Sequence, residues 1–283
     1  MRLTAESTRV AFVCGHPIKH SRSPVIHKHW LARYGIEGDY RAIDVAPGNV
    51  MTFLQSMRRN GFVGGNITIP HKETVFHAVH SRDGAASAIG AVNTIWFDRD
   101  KLIGGNTDAY GFAKNLSVAR PDWKHGETAI VLGAGGASRA IVHAIDHAGY
   151  RRIHVLNRTV GRAEKLVSVF SKHVTAGPLD DAGELLPQAD LIVNTTSVGM
   201  EGEGGFGFTL DNARDDAIAT DAVYIPLVTP FLQMARERGL STVDGLGMLL
   251  HQATPGFARW FGVEPVVDQE LRNAVIADME MPH

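Results

Sequence analysis

The chain holds one cysteine, Cys14, in 283 residues, which excludes an intrachain disulfide framework and fits a reducing compartment. It lacks a charge bias: 28 Lys and Arg stand against 30 Asp and Glu, for a formal net charge of −2. Without a basic tail or stripe, nucleic acid is not an expected partner. No apolar run is long enough to span a bilayer. The start, Met1-Arg2-Leu3-Thr4-Ala5-Glu6, lacks the apolar core of a signal peptide, so a cytoplasmic protein is expected. The 14 histidines are scattered, show no ligand spacing of the His-Glu-x-x-His kind, and predict no metal site.

What is present is a glycine-rich turn in a telling place. Residues Ala129 to Leu132 read as an apolar strand, followed by Gly133-Ala134-Gly135-Gly136-Ala137-Ser138 and a helix from Ser138 to Gly149. A helix start offers unpaired N–H groups and a partial positive charge, which suits a pyrophosphate. Gly133 allows the tight turn and Gly135 the close approach of backbone to phosphate. Ser138 stands where a third glycine is usual. A second strand, Ile153 to Leu156, ends at Asn157-Arg158-Thr159, where an NAD-binding fold places an acid on the ribose hydroxyls. A cation there, with Arg162 one turn beyond, favours a 2′-phosphate and hence NADP.

The rest of the chain alternates strand and helix patterns. Strands are expected at Val10–Cys14, Tyr40–Val45 and Val63–Ile69, with a Thr94–Phe97 and Lys101–Ile103 hairpin turning at Asp98-Arg99-Asp100. Helices are expected over Val25–Tyr34 and Asn49–Arg59 and after Pro70. The polar stretch Ala119–Gly126 reads as a connector, Leu191–Asn194 and Ala222–Tyr224 as later strands, Gly202–Gly207 as a flexible loop, and Gly247–Phe261 and Val267–Met279 as helices. Such alternation predicts two open α/β domains: an N-terminal substrate domain with a mostly parallel sheet, and a Rossmann-like nucleotide domain. The expected division is 1–108 plus 246–283 for the first and 109–245 for the second. Ligands of open α/β sheets bind beyond the carboxyl ends of strands, so chemistry is expected in the cleft between the domains.

Three segments beyond strand ends carry candidate chemistry. Ser21 and Ser23 precede a helix opened by Pro24; Ser23 reads as an N-cap, and the two hydroxyls together suit a small carboxylate. Lys72 falls in the first turn of a helix, where the dipole disfavours a cation by roughly 0.3–1 kcal/mol. It reads either as a solvated lysine or as a functional one. Asp108 ends the segment Gly104-Gly105-Asn106-Thr107-Asp108 and reads either as an N-cap or as the partner of Lys72.

Taken in order, these motifs resemble the shikimate/quinate dehydrogenase family along nearly the whole chain. The resemblance rests on Gly15 to Pro24, Asn66 to Lys72, Gly90 to Thr94, Gly105 to Asp108, Gly133 to Ala140, Asn157 to Thr159, Asn194 to Met200, Asp221 to Pro230, and Gly247 through Gln252. It implies that Ser21 and Ser23 hold the substrate carboxylate. It implies that Asn66, Thr68, Asn93, Asp108, Tyr224 and Gln252 contact ring hydroxyls and neighbouring groups, and that Lys72 and Asp108 are the catalytic pair. Gly133, Ala134, Gly135, Gly136, Ala137, Asn157, Arg158, Thr159, Arg162, Thr195, Met200 and Gly245 would then serve the cofactor. The implied reaction is reversible NADPH-dependent reduction of 3-dehydroshikimate to shikimate, in aromatic amino acid biosynthesis, by a monomer or homodimer. Its rivals are a quinate or dual-specificity dehydrogenase and a non-catalytic shikimate/NADP sensor. His16, Ile67 and Ile225 depart from the residues common at their positions in the family.

Overall fold

The structure, a computed structural model, describes residues 8–198 and 206–281. It divides into two compact units: the chain up to Thr107 with that from Gln252 onward, and Asp108–His251.

In the first unit β1 (Arg9–Gly15), α1 (Ser23–Arg33), β2 (Gly38–Asp44), α2 (Val50–Ser56), β3 (Phe62–Ile67), α3 (Lys72–Ala78), β4 (Ser81–Arg82), α4 (Gly84–Ile89), β5 (Thr94–Asp98) and β6 (Lys101–Gly105) follow one another. Their sheet has the order β2-β1-β3-β5-β6-β4. The β1–β2, β1–β3 and β4–β6 pairings are parallel, whereas β5 runs antiparallel to both β3 and β6. Asn66 pairs with Thr94, and Thr94 with Gly105, so the amino end of β5 lies at the same sheet edge as the carboxyl ends of β3 and β6. Phe12, Cys14, Val50, Met57, Ile67, Val75 and Ile95 form a core cluster here. Burial pushes the Cys14 thiol up to about 12, so it is a packing residue.

The second unit holds α5 (Asp108–Ala119), β7 (Thr128–Leu132), α6 (Gly136–His147), β8 (Arg152–Asn157), α7 (Val160–Val167), β9 (Val174–Pro178), α8 (Ala182–Leu185), β10 (Leu191–Asn194), β11 (Ile218–Asp221), α9 (Pro230–Glu237) and β12 (Ser241–Val243). All its described pairings are parallel, in the order β12-β11-β10-β7-β8-β9. Read from β9 this is the 3-2-1-4-5-6 order of a dinucleotide-binding fold, with its switch point between β7 and β10. Every residue of β7 and β10 is buried, as strands covered on both faces require.

Two helices close the chain, α10 (Leu246–Phe261) and α11 (Gln269–Met279). The two compact units meet within α10, between His251 and Gln252.

Two local expectations are corrected. Ser23 is not the N-cap of α1: Arg22 has helical dihedrals, and its carbonyl accepts the Val25 and Ile26 N–H groups, which starts the helix one residue earlier. The strand expected at Ala222–Tyr224 is instead β11. Leu191 pairs with Ile218 and Asn194 with Asp221, and Asp221 Oδ1 accepts the Val223 N–H at 2.8 Å, which removes that donor from any ladder. Tyr224 therefore sits in the loop beyond the carboxyl end of β11.

Candidate active site

In the first unit the segment after β1 is anchored to two neighbours. His16 N–H donates to the Ile69 carbonyl at 3.0 Å, and the Val45 N–H donates to the Gly15 carbonyl at 3.0 Å. A Cβ at Gly15 would lie 2.8 Å from the Ile69 carbonyl oxygen, so only glycine lets these segments meet. His16 Nδ1 lies 2.7 Å from Asp44 Oδ1, and Asp44 Oδ2 accepts the Ile18 N–H at 3.2 Å. The His16 hydrogen bond holds the Asp44 carboxyl below the usual range. Ser21 is half-buried and Ser23 buried in the first turn of α1.

Lys72 opens α3, half-buried. The residue before it, His71, is buried and donates from Nε2 to the Val45 carbonyl at 2.7 Å. The Lys72 carbonyl accepts the Val92 N–H at 3.0 Å. The helix start that carries the ammonium is thus tied on both sides. Thr68, half-buried, lies between Ile67 and the His71 N–H that its carbonyl accepts at 2.9 Å.

Asn66, Asn93 and Gln252 are brought together by a buried hydrogen-bond network. Asn66 Nδ2 donates to the Asn93 carbonyl at 3.2 Å and to Thr94 Oγ1 at 3.1 Å. Asn93 Nδ2 donates to Thr107 Oγ1 at 3.0 Å and to Gln252 Oε1 at 3.5 Å. The Thr107 N–H returns to Asn93 Oδ1 at 2.9 Å. Thr94 and Thr107 are site residues that sequence reasoning misses, although both lie inside quoted motifs; their position in the network is set by long-range pairing.

In the second unit Gly133 has φ +106°, and a Cβ there would meet Thr195 Oγ1 at 2.8 Å. Side chains at Gly135 and Gly136 would meet no protein atom within 4 Å, so the turn before α6 faces open space. Ser138 is fully buried: its Oγ accepts the Gly135 N–H at 2.8 Å and lies 2.6 Å from Thr195 Oγ1. Asn157 Nδ2 donates to the Thr159 carbonyl at 2.8 Å, shaping the end of β8. Arg158 and Arg162 are exposed, and neither guanidinium has a partner among the described residues. Backbone donors at α6 together with these two cations fit a phosphorylated dinucleotide such as NADP.

Beyond β10 and β11 the loops are braced by a buried carboxylate. Asp221 accepts Asn194 Nδ2 at 3.0 and 2.9 Å and the Thr229 hydroxyl at 2.6 Å; burial raises its pKa, with these bonds acting against that. Tyr224, half-buried, follows this brace. A Cβ at Gly245 would lie 2.7 Å from the carbonyls of Asp221, Ala222 and Val223, so that glycine lets the chain pass beneath the Tyr224 loop. Asp108 is buried at the start of α5 and follows Thr107 directly. Met200 and most of the Gly202–Gly207 loop lie outside the described residues.

These features define a class: α/β proteins that pair a dinucleotide-binding unit with a second unit lined by hydroxyls, amides and a lysine. A family model described as a shikimate dehydrogenase substrate binding domain matches residues 13–95, and one described as shikimate / quinate 5-dehydrogenase matches residues 117–200. The chain is 54% identical over 274 residues to shikimate dehydrogenase (NADP(+)) of Mesorhizobium japonicum, covering 97% of this chain and 98% of that one. Shikimate 5-dehydrogenase from Thermus thermophilus, solved in complex with NADP(H) and shikimate, superposes with a TM-score of 0.85 at 36% identity, over 95% of this chain and 99% of that one. Quinate dehydrogenase from Corynebacterium glutamicum, solved with NAD, superposes with a TM-score of 0.87 at 28% identity, over 95% and 99%. The chain belongs to the shikimate dehydrogenase family.

Proposed function

We propose that this chain catalyses the reversible NADPH-dependent reduction of 3-dehydroshikimate to shikimate. The observation that supports the reading is the buried network joining Asn66, Asn93 and Gln252, in a unit where Ser21 and Ser23 follow β1 and Thr68 and Lys72 follow β3, in a chain 54% identical to an NADP(+) shikimate dehydrogenase. Small molecules are its partners, and the cytoplasm is the compartment this reading implies.

Ser21 and Ser23 donate to the substrate carboxylate. Asn66, Thr68, Asn93, Tyr224 and Gln252 meet the ring hydroxyls and fix which ring carbon is presented. The bound cofactor supplies a hydride to the carbonyl carbon. Negative charge then builds on the carbonyl oxygen, and the Lys72 ammonium stabilises it and gives up a proton to it. Asp108 orients Lys72. In oxidation the proton leaves the alcohol toward this pair. Arg158 and Arg162 clamp the 2′-phosphate, with Asn157 and Thr159 beside them, while Gly133 to Ala137 receive the pyrophosphate and Thr195, Met200 and Gly245 border the rest of the cofactor.

The test is deuteride transfer. Incubated with 3-dehydroshikimate and NADPH deuterated on the transferable position, the protein should yield shikimate carrying one deuterium on the former carbonyl carbon. Unlabelled shikimate, or none, would overturn the reading.

A further inference from the structure

We infer that Tyr40 is a positioning residue for the substrate: its buried hydroxyl donates to Asn66 Oδ1 and holds the Asn66 side chain in the network that joins it to Asn93 and Gln252. The inference rests on the reading of those three residues as substrate contacts.

Tyr40 lies on β2 and is fully buried. Its ring stacks on His27 at 4.0 Å and 11°, with Trp260 6.0 Å away. His27 is itself packed against Trp30 and Phe257. Neither ring nitrogen of His27 makes a hydrogen bond of good geometry, although Asn66 lies close enough to favour the charged ring slightly. The ring of Tyr40 is held by this packing, which fixes the place of its hydroxyl. There it donates its one proton to Asn66 Oδ1 at 2.6 Å.

That donation holds the Asn66 oxygen, while the Asn93 carbonyl, which can only accept, and the Thr107 N–H, which can only donate, fix the bonds that follow. With Oδ1 toward Tyr40, the Asn66 amide must turn both N–H groups toward the Asn93 carbonyl and Thr94 Oγ1. Thr94 Oγ1 then donates to Asn93 Oδ1 at 2.9 Å. Asn93 Oδ1 receives the Thr107 N–H as its second bond, so Asn93 Nδ2 faces Thr107 Oγ1. The Thr107 hydroxyl lies 3.2 Å from Asn93 Oδ1 and 3.4 Å from Gln252 Oε1; with the Asn93 oxygen already accepting from Thr94 and from the Thr107 N–H, Gln252 is the acceptor with a lone pair to spare. The chain runs from donor Tyr40 to acceptor Gln252. Asn66, with both N–H groups engaged, has only acceptor capacity left for a ligand, which selects a ring hydroxyl and not a carbonyl at that position.

Without the Tyr40 hydroxyl, Asn66 Oδ1 loses its donor, and the side chain loses the bond that holds its oxygen in place. Tyr40→Phe should raise KM for shikimate about tenfold, leave kcat within about twofold, and leave KM for NADP and the melting temperature nearly unchanged. In a double-mutant cycle, Tyr40→Phe should add nothing to Asn66→Ala, because the group it orients is gone. Should Tyr40→Phe fail to fold, Thr94→Val breaks the same chain one link on, with the same KM-only effect expected. The outcomes separate. If Asn66→Ala leaves KM for shikimate unchanged, the substrate-contact reading fails. If Asn66→Ala raises KM but Tyr40→Phe, or Thr94→Val in its place, leaves KM alone or multiplies independently with Asn66→Ala, the positioning role of Tyr40 is wrong.

Discussion

Ser138 Oγ lies 2.6 Å from Thr195 Oγ1 while accepting the Gly135 N–H at 2.8 Å, so the serine at the third fingerprint position is a tie between the phosphate turn and the loop after β10. A glycine there would permit close packing but could not make the tie. Ser138→Ala should remove an acceptor worth roughly 1 kcal/mol, a rise of about fivefold in KM for NADP with kcat little changed. Steady-state rates at saturating shikimate measure it; an unchanged KM for NADP would mean that the tie has no part in cofactor binding.

In the proposed reading Arg158 carries the preference between cofactors. Hydrogen bonds to charged groups contribute roughly 1.5–3 kcal/mol each. Arg158→Ala should therefore weaken NADP about tenfold or more and NAD hardly at all. Isothermal titration with both cofactors checks this, and equal weakening of the two would count against a 2′-phosphate role.

In the proposed reaction Lys72 carries the proton. Lys72→Ala should lower kcat by roughly 10²–10⁴ while the dissociation constant for NADP stays put. Rapid-mixing and fluorescence titration separate the two quantities.

His27 makes stability depend on acid. Burial pushes its pKa from 6.5 down to about 3. Above pH 6.5 the ring is neutral in both folded and unfolded chains and contributes no pH dependence. Below 6.5 the unfolded ring takes up a proton that the folded one refuses until about pH 3. Stability should thus fall as pH falls through that window, at up to about 1.4 kcal/mol per unit. His251, pushed down to about 4, acts with the same sign between 6.5 and 4. His27→Phe keeps the stack on Tyr40, and urea unfolding between pH 4 and 7 should show a shallower acid limb, with the His251 part remaining. A limb as steep as that of the parent protein would contradict the assignment.

Much of the fold is legible along the chain, for a physical reason. Strands β1, β7 and β10 are apolar runs bounded by turn residues, and the β5–β6 hairpin announces itself at Asp98–Asp100, where Arg99 takes φ +53°. The two-residue β4, the polar-mixed edge strands β9 and β12 and the short α4 carry no such pattern. The position of β11 is not legible because Ala222–Tyr224 is as apolar as the strand itself; the Asp221 carboxylate, which ends the strand by bonding Val223, is a tertiary feature. In the site, single residues beyond strand ends stand out in the sequence, but the network does not. Asn93 and Thr94 reach the site edge because β5 is antiparallel, against the carboxyl-end rule, and Tyr40 matters only through a partner 26 positions away.

The most direct test of the account is one set of initial rates: shikimate and quinate, each with NADP and with NAD, for the parent protein and Lys72→Ala. The account predicts turnover of shikimate with NADP that dominates the other three pairs and is lost with Lys72. Turnover chiefly with quinate or NAD, full activity of Lys72→Ala, or tight shikimate binding without turnover would contradict it.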